Sequence, residues 1–118
     1  MEMENKQLDF VIGDFAEIHS FRTLTEGIGQ ITPLMLADSK WHRFVPVQLT
    51  PKVFKSLAFD SENELCWYDN SDGTFTVSNE ACISDCHFKV SGTVRYVHEL
   101  QAVMRLCGIK RSSECWKI

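Results

Sequence analysis

The stretch from Arg95 to Gly108, RYVHELQAVMRLCG, constrains the fold of this chain more than any other. Val97, Leu100, Val103, Met104 and Cys107 recur at spacings of three, three, one and three. That is the apolar stripe of an amphipathic helix. Gly108 follows the last stripe residue, where a helix turns out through a left-handed position. Glu99 sits in the first turn and Arg105 near the last, the charge order the helix dipole favours. The spacing therefore predicts a helix over 97–107. Such a helix must bury its stripe, so the shorter elements before it have to supply an apolar face.

Those elements read mainly as strands. Residues 1–7 are expected to be flexible. Two short strands are expected at about 8–12 and 14–22, with Gly13-Asp14 as a turn or bulge between them. Thr25-Glu26-Gly27 reads as a further turn and 28–36 as a strand, at an edge because Pro33 has no amide to donate. Residues 41–49 read as a strand, with Pro46 marking an edge or an end. Thr50-Pro51 is a hydroxyl N-cap followed by proline at the first helical position. It predicts a short helix with Val53, Phe54 and Leu57 inward, ending near Ala58. Strands at 65–68 and 74–78 are joined by Asn70-Ser71-Asp72-Gly73, a hairpin signal. A last strand over 86–94 runs into the long helix. The expected fold is α+β: a curved, mostly antiparallel sheet of about six to seven short strands. Two helices accompany it, the longer near the C-terminus.

A chain of 118 residues is expected to form a single domain, 1–118, since no Gly/Pro/Ser-rich linker interrupts it. The tail 112–118 is read as flexible or as a subunit contact, because Trp116 and Ile118 so near the end need something to pack on. A homo-oligomer is the corresponding expectation. No apolar run approaches a membrane span, and MEMENKQ lacks the basic and apolar regions of a secretory signal, so a cytoplasmic protein is expected. Five irregularly spaced cysteines then read as free thiols. Charge is uneven. Residues 1–85 hold six Lys/Arg against fourteen Asp/Glu, whereas 86–118 hold six against two. The net charge of −4 speaks against nonspecific nucleic-acid binding, while the basic last third leaves room for a local anion site.

The order of segments carries a resemblance. PVQLT-P-KVFKSLAF at 46–59, a strand pair, and VRYVHELQAVMRLCG at 94–108 resemble a family of small proteins from phages and mobile elements of gut Bacteroidales, to which no activity is assigned. The resemblance covers most of the chain. It is close at Leu49-Thr50, Leu57-Ala58-Phe59 and Tyr96 to Gln101. It departs at Glu99, where the family has Gln, and in the Cys/Trp tail. It implies a phage or mobile-element origin and expression in a bacterial host's cytoplasm. By analogy with small accessory phage proteins, it also implies a role against host defence.

No constellation of residues announces a reaction. His98-Glu99 would open a zinc-protease helix, but the second histidine that motif needs at 102 is Ala102. Cys82, Cys86 and His87 are the best metal-like cluster, yet no second Cys/His pair stands at zinc-ribbon spacing; no bound metal and no cofactor are expected. Gly27-Ile28-Gly29 lacks the helix that a phosphate-binding loop requires. One surface is a candidate. His98, Gln101 and Arg105 lie at spacings of three and four, so they are expected to form a polar stripe beside the apolar one. Arg95 precedes them, and Lys110 and Arg111 follow. Together these six would bind an anion such as a nucleotide, with Trp41, Trp67 or Tyr68 as a stacking surface. The function expected is a non-enzymatic binding protein that sequesters an anionic nucleotide signal or holds a host defence protein. The alternatives are a nucleic-acid accessory protein of phage replication or transcription, and a small enzyme whose site has no recognised signature.

Overall fold

The structure, a computed structural model, describes residues 10–79 and 90–118. The expected α+β class with antiparallel strands is what it shows. Among the described residues six strands fall into two three-stranded sheets, and three α-helices accompany them, the longest near the C-terminus. The chain divides into two compact units, 1–47 and 48–118. No helix among the described residues is long and apolar enough to cross a membrane.

The first unit is built on β1 (Phe15–Ser20), which pairs antiparallel with β2 (Thr25–Gln30) on one side and with β3 (His42–Val45) on the other. Gly13-Asp14 makes the expected turn, with Gly13 at φ +92°. The Gly13 amide donates to Ile31 O, and the Ile31 amide to Asp14 O. Phe10, Ala16, Ile18, Ile31 and Phe44 form the core, with Met35 packed against it. β3 stops at Val45, immediately before Pro46, as the missing proline donor requires.

Three expectations fail here, the first being the strand expected at about 8–12, whose described residues 10–12 are not strand. The Thr25-Glu26-Gly27 turn is strand, because β1 offers six registered partners from Phe15↔Gln30 to Ser20↔Thr25; the turn falls instead on 21–24. The strand expected over 28–36 ends at Gln30. Residues Pro33–Ala37 form a short helix, α1, with Thr32 as N-cap accepting a bond from the Met35 amide and Pro33 at the first position. A run of four apolar residues has no period that separates strand from helix, and the cap decided between them.

The second unit follows its expected order. α2 (Pro51–Leu57) buries Val53, Phe54 and Leu57 and ends on Ala58 in a left-handed conformation. β4 (Cys66–Asp69) and β5 (Phe75–Asn79) make the hairpin, and β6 (Val90–Val94) pairs with β5. Phe54 lies against both hairpin strands: its ring stacks on Trp67 at 4.5 Å and meets Phe75 at 4.9 Å. α3 (Val97–Cys107) ends on Gly108 at φ +73°. At its start, Glu99 accepts bonds from the Arg95 and Tyr96 amides at 2.7 and 3.0 Å, so the acidic residue caps the helix as well as facing its dipole. Gln48 ties the unit together. Its side-chain amide donates to the carbonyls of Leu49, Gly73 and Arg95 at 2.8–3.2 Å. The tail turns once at Ser113–Cys115, and the Lys117 amide donates to Ser56 Oγ.

Candidate functional site

The six residues expected to bind an anion do not make one surface. His98 is 6% exposed and Gln101 is 9% exposed, so two of the three stripe residues belong to the buried side of α3 with Val97, Leu100 and Met104. The buried arc of the helix is wider than the apolar stripe alone indicates. Arg111 lies in the second unit's interior bonding: its Nε donates to Leu57 O at 2.9 Å and its Nη1 to Glu64 Oε2 at 3.1 Å. That guanidinium, with the Asp60 amide, holds the Glu64 carboxyl below the usual glutamate range. Arg95 is exposed, and its guanidinium reaches the turn at Gly73. There it faces Asp72, whose carboxyl is kept low first by the Thr74 hydroxyl and amide and then by Arg95. Arg105 and Lys110 are exposed.

The three aromatic candidates separate as well. Trp67 is committed to Phe54 and Phe75. Tyr68 is 69% exposed on β4. Trp41 belongs to the first unit. Cys82, Cys86 and His87 lie outside the described residues; among the described ones no group of three His, Cys, Asp or Glu is placed to hold a metal ion.

The first unit instead presents a surface that the stripe argument does not reach. Phe21 and Leu24 stand in the turn between β1 and β2, 51% and 86% exposed, and Trp41 is 38% exposed beside them, its carbonyl accepting the Phe21 amide. Leu24 has φ +56°. A leucine pays about 1–2 kcal/mol for the left-handed region, so a strained residue is spent on holding an apolar side chain in water. The turn is braced from below. Arg22 makes two bonds to Asp38, Nε to Oδ2 at 2.6 Å and Nη2 to Oδ1 at 3.1 Å, and its guanidinium lies 4.9 Å from the Trp41 ring centre. The Arg22 bonds hold the Asp38 carboxyl below its ordinary range. In α1, Leu34 is 80% exposed, and the helix buries none of its own residues. A signal for this surface is in the sequence: the turn F-R-T-L carries no Gly, Pro, Asn or Asp, the residues that tight turns favour.

Compared with known proteins, the chain matches no family model, no curated protein and no solved structure.

Proposed function

We propose that this chain is a binding protein of a phage or mobile element that acts by holding a host defence protein, and that the β1–β2 turn makes the contact. Leu24 carries this reading: a bulky side chain in a strained backbone conformation, exposed at the tip of a braced hairpin, is costly to keep unless a partner covers it. Phe21 and Trp41 widen the patch, and aromatic side chains supply much of the energy at protein interfaces. The origin and the class of partner rest on the resemblance at Leu49-Thr50, Leu57-Ala58-Phe59 and Tyr96 to Gln101. The protein partner is preferred to a nucleotide because His98 and Gln101 are buried and Arg111 is engaged by Glu64.

The test is affinity capture from a Bacteroidales lysate with the wild-type chain and with a Phe21→Ser/Leu24→Asp variant, both checked for an intact fold by circular dichroism. Wild type should retain one discrete host protein in stoichiometric amount, and the variant should lose it. Equal capture by both would remove the turn from the interface.

A further inference from the structure

Residues directly opposite in an antiparallel pair project to the same face of a sheet. Ser20 lies opposite Thr25 of β2 and His42 of β3; Ile18 lies opposite Gly27 and Phe44; Ala16 lies opposite Gly29. One face of the first sheet therefore runs from a buried apolar part at Ala16, Ile18 and Phe44 to a polar row, Thr25–Ser20–His42. An open cavity of about 440 Å³ is lined by this polar row, Ile18 and both glycines, with Thr23, Glu26, Ile28 and Met35 of α1 also contributing.

The two glycines are the unexplained feature. Neither has a left-handed φ. A Cβ at Gly27 would meet nothing within 4 Å, and at Gly29 only Ile18 Cδ1 at an ordinary 3.7 Å. Neither the backbone nor the packing of this chain calls for glycine at these positions, and glycine inside a strand costs stability. What the pair provides is room above a flat floor, the usual meaning of a strand glycine beside which another molecule lies.

The polar row defines what fits. His42 Nδ1 is 3.0 Å from the Asp38 carbonyl oxygen, which only accepts. A proton therefore sits on Nδ1, and in the Nδ1–H tautomer of the imidazole Nε2 is the acceptor. Ser20 and Thr25 add hydroxyls; Thr25 is already joined to Thr23 at 2.7 Å. No Lys or Arg lines the cavity, and Glu26 does, so an anion finds no compensating charge.

We infer that this cavity binds a small, uncharged, planar heterocycle of nucleobase size, laid on the Gly27–Gly29 floor with a ring N–H donated to His42 Nε2. The volume lies within the range of small-molecule sites. The site adjoins the protein contact proposed at Leu24, because Thr23 and Thr25 also line it, but it is built on Gly27, Gly29 and His42 and does not rest on that contact.

The test is a titration of the full ¹⁵N-labelled chain with adenine, and separately with AMP, followed by amide shifts. Adenine should give saturable shifts at Ser20, Gly27 and Gly29, with AMP at least ten-fold weaker. Gly27→Val should fold with a Tm no lower than wild type and weaken adenine at least ten-fold. Gly27→Ala, which adds one methyl to the floor, provides the same reading if valine disturbs the sheet. Ser20→Ala should weaken adenine several-fold. Absence of saturable shifts in wild type at millimolar adenine or indole, tighter binding of AMP than of adenine, or unchanged affinity in a folded Gly27 variant would each overturn the inference.

Discussion

Single residues in this protein divide between those that stabilise it and those that cost it stability. Leu24 is the clearest cost. Leu24→Asn, which places in the same turn a residue that adopts the left-handed region more readily, should raise stability by about 0.5–1 kcal/mol. Thermal unfolding should show this as a Tm increase of a few degrees, while the captured partner is lost. Arg111 and Glu64 are the opposite case, a partly buried pair that joins the segment after α2 to the tail. Glu64→Gln should cost about 1–2 kcal/mol near neutral pH. Because the folded carboxyl titrates below the usual glutamate value, the charged form is the one the fold prefers. The pair's contribution is complete above the unfolded value and is lost as pH falls through the lowered folded value. The Tm difference between wild type and Glu64→Gln should accordingly close on acidification. Neither residue's role is visible in the sequence. A positive φ at leucine has no compositional sign, and the partner of Arg111 lies 47 positions away.

At the level of elements, local signals were readable wherever a cap and a period coincide. Thr50-Pro51 with Val53, Phe54 and Leu57 predicts α2 at its observed start, and the stripe from Val97 to Cys107 predicts α3 with its Gly108 exit. Thr32-Pro33 repeats the residue pair Thr50-Pro51 and opens α1, and of the two threonines it is Thr32 whose side chain accepts a cap bond. Its apolar run misleads because it is too short to show a period. β2 is unreadable for a different reason: two glycines and a glutamate have low strand preference, and only pairing with β1 holds them extended. The stripe at His98, Gln101 and Arg105 shows the limit of helix-face reasoning, since a spacing of three and four identifies a common side without saying whether that side is wet. The elements also supply a packing prediction. Phe54 is 1% exposed between Trp67 and Phe75, so Phe54→Ala should cost about 3–5 kcal/mol in chemical denaturation. Gln48→Leu should cost about 0.5–1.5 kcal/mol, because the Gly73 carbonyl loses this donor while the Arg95 carbonyl keeps the Leu49 amide.

For the whole molecule, charge and surface point the same way. The acidic excess of residues 1–85 runs through the first unit and much of the second, and among the described cations of the last third Arg111 joins Glu64 and Arg95 faces the turn at Asp72. A chain with a net charge of −4 and no continuous basic face among its described residues should not shift duplex DNA or RNA in a gel assay at physiological salt. A shift there would revive the nucleic-acid reading. The brace under the β1–β2 turn has a consequence in time as well as in space. Because Arg22 is already fixed between Asp38 and Trp41, the turn has no ordering step to complete on encounter. Stopped-flow mixing with the partner should then give an observed rate that climbs linearly with concentration and reaches no plateau. Cutting the brace with Arg22→Ala should introduce one, turning a single-step capture into a capture that waits for the loop.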